Sequence, residues 1–310
     1  MRALVTGAGG FCGRHLVRHL EGQAVEVHTL SAGPTGAGVH HVADPLDAEA
    51  LAAVLRRARP DYLLHLAGVS RAVDVATFYR VNTLYAASLL DAVRAAGLGD
   101  RPMLLVGTAA EYGSVSPAAL PIGEDTPPRP LGHYGASKLA QTQMAQAAAR
   151  QGRPLVVARP ANIIGPGMPD HLAAQSFMRQ AVEVASGIRD PVIDVGDLDA
   201  VRDFIDVDDV VTIYWRLLQE PRAQGQVVNV CTGEGMRVGD LLSRAMRIAG
   251  VTAEIRRAPD RGGTDVPVHV GSAARLRGLL GPIAFTPLDV ALGKLHQALL
   301  ATARSPRCAR

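Results

Sequence analysis

Short apolar runs alternate with longer stretches of helical periodicity over the first half of the chain. The runs have the length of strands, and the stretches between them, of roughly 12 to 20 residues, carry apolar residues three and four positions apart. Predicted strands lie at residues 3–5, 25–30, 39–43, 61–65, 102–108 and 154–158, and predicted helices at 14–20, 48–57, 76–96 and 134–150. This alternation predicts an α/β fold built on a right-handed, doubly wound parallel sheet.

The alternation of strand and helix patterns ends after Gly167. Loops, a predicted helix at 173–186 and a polar segment at 202–209 come before 227–233, which has the pattern of one more strand. We infer a second, smaller α/β lobe made from two separate pieces of chain. The predicted division is 1–161 plus 201–232 for the first domain and 162–200 plus 233–310 for the smaller lobe, with the functional site in the cleft between them.

Composition narrows the possible classes of protein. Hydrophobic residues make up 48% of the 310 residues, which is ample for one large or two unequal cores. The net charge is only +3 and the arginines are scattered, so no nucleic-acid-binding surface is indicated. Cys12, Cys231 and Cys308 lie far apart, which argues against disulfides or a metal site and favours a reducing cytoplasm. No signal peptide and no run of about 18 apolar residues is found, so we expect a soluble protein that binds no membrane.

A glycine-rich turn follows the first predicted strand. Gly7, Gly10 and Gly13 are spaced G-x-x-G-x-x-G, one residue off the usual dinucleotide fingerprint of a Rossmann fold. Such glycines let the backbone approach a pyrophosphate at a helix N-terminus; the alternative is a tight β–α turn without a ligand. The second predicted strand is not followed by the carboxylate that usually holds an NAD ribose. We therefore expect NADP(H), with NAD(H) also usable, and Arg14 is the nearby cation suited to a 2′-phosphate.

Tyr134 and Lys138 lie four residues apart on a predicted helix, so their side chains share a face. The unperturbed pKa values are about 10 and about 10.4, and a neighbouring lysine cation is expected to lower the pKa of the tyrosine. Tyr134 is therefore a candidate general acid or base, and the alternative is an ordinary surface pair. Thr108 ends the fifth predicted strand, at the sheet edge where ligands bind; the alternative is a turn hydroxyl.

Three residues in neighbouring turns complete the candidates from pattern alone. Asp44 follows the third predicted strand and either caps the next helix or hydrogen-bonds adenine. His65 stands in a buried strand, and we assign it to the core. Gly68 belongs to a small-residue turn that lets the backbone lie against a cofactor.

Taken together, the motifs resemble the extended short-chain dehydrogenase/reductases that act on nucleotide sugars, the NAD-dependent epimerase/dehydratase family. The resemblance is carried by the glycine turn, Thr108, the Tyr134/Lys138 pair, R-P-A-N-I-I-G-P-G at 159–167 and R-D-F-I-D-V-D-D at 202–209. These motifs run in the family's order from Met1 to about Gly233. Within the family, segments 194–204 and 229–233 look most like GDP-4-keto-6-deoxy-D-mannose reductases.

The resemblance implies roles for individual residues. Tyr134 would be the general acid, Lys138 would hold the nicotinamide ribose, and Thr108 would hydrogen-bond the C4 oxygen of the sugar. The cofactor residues implied, besides Tyr134 and Lys138, are Gly7, Gly10, Phe11, Cys12, Gly13, Arg14, Ser31, Asp44, Pro45, Leu66, Ala67, Gly68 and Pro160. The substrate residues implied are Ser70, Glu111, Asn162, Arg179, Arg202 and Arg261; for Arg179 a solvated helix face is the alternative.

The resemblance also implies an activity. The first domain would bind the dinucleotide and the smaller lobe the nucleotide sugar. The expected reaction is NAD(P)H-dependent reduction of the C4 ketone of GDP-4-keto-6-deoxy-D-mannose to a 6-deoxyhexose of the GDP-rhamnose or GDP-talose type. One alternative is a 4-epimerase with tightly bound NAD, against which the missing carboxylate weighs. Another is a non-catalytic dinucleotide sensor, which would not need Thr108, Tyr134 and Lys138 together.

Two further expectations follow from the family. Related 4,6-dehydratases carry an acidic residue just after the threonine, whereas this chain has Ala109 and Ala110, and Glu111 in an extended segment would point away. A dehydratase is therefore disfavoured. The helices at 76–96 and 134–150 are rich in alanine and leucine, and such helices form a four-helix dimer interface in this family, so we expect a homodimer.

Overall fold

A parallel sheet forms the centre of the protein. The computed structural model describes residues 1–33, 38–258 and 266–303. The central strands are β1 Arg2–Thr6, β2 Glu26–Ser31, β3 Val39–Val42, β4 Tyr62–His65, β5 Met103–Val106, β6 Leu155–Pro160 and β10 Val227–Val230. Within the described residues they pair in the order β10-β6-β5-β4-β1-β2-β3, all in parallel. This order confirms the predicted doubly wound Rossmann sheet.

Helices cover both faces of this sheet. Helices α1 Phe11–Gly22, α7 Val207–Gln219 and α9 Ala274–Leu280 pack on one face, and α2 Ala48–Ala58, α4 Tyr85–Ala95 and α5 His133–Arg150 on the other. In β1, Ala3 and Val5 belong to the first core while Leu4 belongs to the second. Because both faces are buried, the central strands are continuous apolar runs rather than alternating ones.

A third core lies outside the central sheet. Its helices are α6 Ala173–Ala185, α8 Val238–Ala249 and α10 Leu288–Ala303, and its strands include β7 Asn162–Ile164, β8 Val192–Val195, β9 Val201–Asp206, β11 Gly235–Arg237, β12 Glu254–Arg257 and β13 Val268–His269. Strand β9 pairs with β7, β11 and β13, and β8 pairs with β12. Residues 201–206 thus join the smaller sheet, unlike in the predicted division, which counted them with the first domain.

The single helix predicted at 76–96 is interrupted. Helix α3 Val75–Tyr79 is followed by a π-helical turn, Arg80–Leu84, before α4 begins. The turn directs the fully buried Asn82 toward α5: its Oδ1 accepts from Val69 N at 2.8 Å and its Nδ2 donates to Ser137 Oγ at 2.9 Å. Insertions of this kind are frequent at functional sites. Here the insertion ties the loop after β4 to the helix that carries Tyr134.

The described residues contain neither a membrane-spanning helix nor a cluster of metal ligands. None of their helices combines the length and the apolar character that crossing a membrane requires. No group of three or more histidine, cysteine, aspartate or glutamate side chains among them is arranged to hold a metal ion.

Candidate active site

The glycine turn after β1 is shaped for close backbone approach. Gly7 has φ +72°, and a Cβ on it would lie 2.6 Å from Ala67 N. A Cβ on Gly13 would lie 2.1 Å from the Gly7 carbonyl oxygen, so neither position accepts a side chain. Helix α1 begins directly after Gly10 and receives no side-chain cap from the described residues. Its first N–H groups are therefore available to an anion, which fits the pyrophosphate of a dinucleotide.

A cleft of about 1,210 Å³ lies between this turn, the carboxyl ends of the central strands and the smaller sheet. Most of the predicted site residues meet there. Those lining the cleft are Gly7, Gly10, Phe11, Cys12, Gly13, Leu66, Gly68, Ser70, Thr108, Tyr134, Lys138, Pro160, Asn162, Arg179 and Arg202. Residues far apart in sequence are thus brought to one surface, as expected for the strand ends of an open parallel sheet.

Tyr134 keeps its proton at neutral pH in this arrangement. Burial raises its pKa above the ordinary value of a phenol, and a hydrogen bond with Thr108 lowers it by less. Burial thus has a larger effect on Tyr134 than its hydrogen bond with Thr108, and the lowering of its pKa by Lys138 together with a positively charged cofactor stays a prediction. A protonated phenol in a cleft is suited to act as a general acid.

Lys138 is the buried cation of the same wall. It is only 4% exposed, and its Nζ donates to Gln141 Oε1 at 2.9 Å. A Cβ on Gly68 would lie 3.3 Å from Nζ, so the small-residue turn after β4 touches the ammonium. Burial lowers the pKa of Lys138 to about 8, against the opposing charge of Glu111. No carboxylate among the described residues forms an ion pair with this lysine.

Glu111 lies in the core and not on the cleft wall, so its predicted contact with the substrate is corrected. It is fully buried, and its Oε1 accepts from Thr108 N at 2.9 Å. Its Oε2 accepts from Nε and Nη2 of Arg159, each at 2.8 Å. Ala109–Glu111 is a 3₁₀ turn rather than an extended segment, and it turns the carboxylate into the core. Glu111 therefore fixes the backbone of Thr108, and its carboxylate faces the core and not the cleft.

Two predicted cofactor residues lie outside the cleft wall. Arg14 is exposed, and its guanidinium donates to the carbonyl oxygens of Gly9 at 2.8 Å and Gly167 at 3.4 Å. Ser31, half-buried at the end of β2, donates its hydroxyl to the carbonyl oxygen of Gly33. Arg14 stands next to the glycine turn, so its role toward a 2′-phosphate stays a prediction.

Three more predicted cofactor residues, Asp44, Pro45 and Ala67, also lie outside the cleft wall. Asp44 accepts from Leu46 N at 2.9 Å, and Pro45 follows it. The cap of α2 is Asp47, so the cap interpretation of Asp44 is wrong, and its contact with adenine stays a prediction. Ala67 lies behind the glycine turn, where its backbone packs against Gly7. Arg261 lies outside the described residues.

The opposite end of the cleft is rich in arginine. Arg202 donates from Nη2 to the Val266 carbonyl oxygen at 2.7 Å, and burial lowers its pKa. Asn162 donates to the Asp203 carbonyl oxygen at 2.9 Å. Arg179 lines the cleft while pairing with Glu183 at 2.6 Å, and its role toward a substrate stays a prediction. Cations on one wall suit the oxygens of a diphosphate.

Sequence reasoning missed several residues of the cleft. Arg71, His171 and His269 all line it. His269 lies in β13 beside Arg202, its Nε2 is buried without a hydrogen-bond partner in the described structure, and burial lowers its pKa. The short β13 carries no strand signal that could have placed His269 in the cleft.

The comparisons with known proteins identify the family. The family model described as the NAD dependent epimerase/dehydratase family matches residues 3–231. The chain belongs to this family. The GDP-6-deoxy-D-mannose reductase of Pseudomonas aeruginosa is 37% identical over 286 residues, covering 90% of this chain and 91% of that protein. The GDP-6-deoxy-D-talose 4-dehydrogenase of Aggregatibacter actinomycetemcomitans is 29% identical, covering 96% and 97%.

Epimerases are also among the relatives. The UDP-glucose 4-epimerase of Azospirillum brasilense is 32% identical, covering 90% of this chain and 86% of that protein. Among solved structures, RMD from Pseudomonas aeruginosa complexed with NADPH has a TM-score of 0.87 at 31% identity, covering 97% and 99%. The UDP-glucose 4-epimerase of Thermus thermophilus in complex with NAD has a TM-score of 0.80 at 28% identity, covering 97% and 99%. Both nicotinamide cofactors therefore occur in neighbours of this fold.

Proposed function

We propose that this protein is an NAD(P)H-dependent reductase of the C4 ketone of a nucleotide-linked 4-keto-6-deoxyhexose. The observation that carries the proposal is that Thr108, Tyr134 and Lys138 stand on one wall of the cleft that the glycine turn also lines. A protonated phenol, a hydroxyl and a buried ammonium in this arrangement suit the reduction of a carbonyl. The relative named as a GDP-6-deoxy-D-mannose reductase supports the same reaction.

The chain's own residues provide the proton and the alignment. The bound NADPH would supply the hydride that adds to C4. Thr108 would hydrogen-bond the C4 oxygen, and Tyr134 would give that oxygen its phenolic proton, so that the C=O bond becomes C–O–H. The raised pKa of Tyr134 keeps this proton in place until the oxygen becomes basic. Lys138 would bind the hydroxyls of the nicotinamide ribose and stabilise the tyrosinate that remains.

The substrate is proposed to be GDP-linked, most simply GDP-4-keto-6-deoxy-D-mannose. Two of the relatives carry GDP-sugars in their names. Asn162, Arg179 and Arg202 would meet the diphosphate at the arginine-rich end of the cleft, and the sugar would extend from there toward Thr108. Arginine suits this role because its planar fork pairs with two phosphate oxygens.

A 4-epimerase is the second candidate, favoured by the UDP-glucose 4-epimerases among the relatives. The two activities differ in how they treat the cofactor. A reductase consumes one NADPH for each ketone it reduces, whereas an epimerase retains its NAD through every turnover. The cofactor balance therefore separates them.

The test is a substrate panel. Purified enzyme is incubated with 4-keto-6-deoxy sugars on GDP, dTDP and UDP, each with NADPH and with NADH, and separately with UDP-glucose and with GDP-mannose plus NADP⁺. We expect consumption of NADPH with the GDP-linked ketone. Interconversion of UDP-glucose and UDP-galactose without net cofactor change would favour the epimerase instead. Loss of water from GDP-mannose, with no NADPH consumed in the ketone mixture, would contradict the proposal.

We also propose that the protein is a homodimer in the cytoplasm. Helices α3 and α5 pack side by side, and Thr83 Oγ1 of the π-helical turn donates to the Ser137 carbonyl oxygen at 2.8 Å. Leu84 in the same turn is 51% exposed, although it is a large apolar residue. An exposed leucine on an alanine-rich helical surface is consistent with contact to a second copy. A monomer mass in sedimentation at micromolar concentration would contradict the dimer.

A further inference from the structure

Gln141 occupies a fully buried position on α5, one turn beyond Lys138. Its Oε1 accepts from Lys138 Nζ at 2.9 Å, and its Nε2 donates to the Val106 carbonyl oxygen at 3.1 Å. An ammonium can only donate and a carbonyl oxygen can only accept, so the amide has a single orientation that satisfies both partners. The end of β5 therefore fixes the amide, and the amide fixes the ammonium.

We propose that Gln141 is the positioning residue of Lys138, holding Nζ at the cofactor end of the cleft with an uncharged acceptor. This inference rests on the proposed function, because it assumes that the ammonium serves a bound nicotinamide ribose. The neutral amide is central to the argument. A carboxylate at this position would hold the ammonium equally well but would form an ion pair with it. Lys138 would then face its ligand as half of a neutralised pair.

The other titratable groups around Lys138 are neutral or bound to other partners. Glu111 acts on it through its charge, but both carboxylate oxygens of Glu111 are bound to Thr108 N and to Arg159. His65, on β4, is neutral because burial lowers its pKa to about 3. Tyr134, one turn before Lys138, keeps its proton because its pKa is raised. Gln141 is thus the side chain that accepts the hydrogen bond of the ammonium.

The composition of the chain allows a direct test. The chain contains only two lysines, Lys138 and Lys294, whereas arginines are numerous. In protein labelled with ¹³C at the lysine ε-carbon, the two signals can be followed by NMR from pH 6 to pH 11. Lys294 serves as an internal reference, since it lies in a separate ion-pair cluster with Asp206 and Asp208. The readout needs neither substrate nor turnover.

Two variants should move the Lys138 titration in opposite directions. Gln141→Glu should shift its midpoint to higher pH, because a buried negative charge favours the ammonium. Gln141→Met removes the acceptor at similar length, so the midpoint should shift to lower pH. Gln141→Met should also weaken NADPH binding at pH 7 by about tenfold, a loss typical of a hydrogen bond to a charged group. The Lys294 signal should not move in either variant.

Gln143 supplies the matched control. It lies on the same helix but is exposed, so Gln143→Glu and Gln143→Met should leave the Lys138 midpoint where it is in the wild type. If the Lys138 midpoint is the same in the wild type and in whichever Gln141 variant folds, the inference is overturned. If the midpoints move as expected while no 4-keto sugar is reduced by the wild type, the positioning role of Gln141 stands and the proposed function fails.

Discussion

The two lysines of this chain lie in opposite surroundings. Lys294, on α10, contacts two carboxylates: its Nζ lies 3.2 Å from both carboxylate oxygens of Asp206 and 2.7 Å from Asp208 Oδ2. Burial alone would lower the pKa of Lys294, but these contacts raise it above the ordinary value. Lys138, on α5, donates a hydrogen bond to the neutral amide of Gln141, and burial lowers its pKa to about 8.

The difference separates a charge used for structure from a charge available to a ligand. The Lys294 cluster joins α10 to the first turn of α7, where the buried Asp206 caps the helix, and His15 of α1 contacts Asp208 at 3.0 Å. The positive and negative charges of the Lys294 cluster compensate one another. The ammonium of Lys138 is desolvated without an ion-pair partner among the described residues, and the more distant charge of Glu111 offsets this only in part, which costs stability. Such a cost is typical of groups that are kept for function.

The largest effect is expected from Tyr134→Phe, because an uncompensated ammonium is useful only beside a proton donor. The variant should lose a factor of about 10² to 10⁴ in turnover. NADPH should still bind, since the glycine turn and Lys138 are unchanged. Steady-state kinetics and fluorescence titration of NADPH measure the two effects. Tyr79→Phe on α3, outside the cleft, is the control and should keep near wild-type activity. A Tyr134→Phe enzyme of wild-type rate would refute the assignment of the acid.

Replacing each lysine by methionine should change stability in opposite directions. Lys138→Met removes a buried charge whose pKa in the folded protein lies below its unfolded value. It should therefore raise the free energy of unfolding at pH 7 by about 1–3 kcal/mol while abolishing activity. Lys294→Met leaves the buried carboxylate of Asp206 without its cation and should lower that free energy by about 1–3 kcal/mol.

Urea denaturation of the two variants measures these changes. The sign is informative, because a general effect of removing a long side chain would destabilise both proteins. If Lys138→Met proved less stable than the wild type, the ammonium would be better compensated than the structure indicates, and the contrast between the two lysines would fail.

The pH dependence of the reaction provides a smaller effect. Lys138 is charged below its pKa of about 8 and neutral above it. We expect kcat/KM for NADPH to fall to about half near pH 8 and about tenfold further with each additional pH unit. Tyr134 does not limit this range, because its pKa is raised. The free energy of unfolding should change in the opposite direction. Between the pKa of Lys138 in the folded protein and its pKa in the unfolded chain, the unfolded chain binds more protons. The free energy of unfolding therefore rises with pH in that range.

The measurement is a series of initial rates at saturating sugar from pH 6.5 to pH 9.5, with a thermal melt at each pH. Loss of activity together with unfolding would attribute the decline to the fold and not to Lys138. A profile that stays flat to pH 10 would show that the ammonium form is not required.

Local sequence patterns were sufficient for much of this site. The glycine turn follows a strand and opens a helix, and the i, i+4 spacing of Tyr134 and Lys138 needs only a helix to bring them together. Their consequences for protonation could not be predicted, because burial decides them. The sequence offers an acidic residue near Thr108, but it does not show that Arg159, on a neighbouring strand, pairs with Glu111 in the core.

Gln141 was missed for a related reason. Glutamine and lysine three residues apart are common on exposed helices, and nothing local distinguishes a buried pair from a solvated one. The predicted division counted residues 201–206 with the first domain, whereas they form β9 of the smaller sheet. Its pairing with β7, β11 and β13 depends on contacts between distant segments.

The smallest effect concerns the choice of cofactor, and it extends the contrast between the lysines to an arginine. Arg14 donates only to the carbonyl oxygens of Gly9 and Gly167 among the described residues, so, like Lys138, it carries a charge that no carboxylate compensates. It stands in the first turn of α1 beside the glycine turn, and we predict a preference for NADPH that remains below tenfold, with NADH still usable. Because Arg14 is exposed, a phosphate contact there is worth only about 0.2–1 kcal/mol, so Arg14→Ala should reduce the preference by a factor of about 1.4 to 5 and leave the NADH rate unchanged. Arg18→Ala, one turn further along α1, is the matched control and should have no effect on the ratio. An NADH preference of tenfold or more in the wild type, or an equal loss with both cofactors in Arg14→Ala, would show that another group makes the choice.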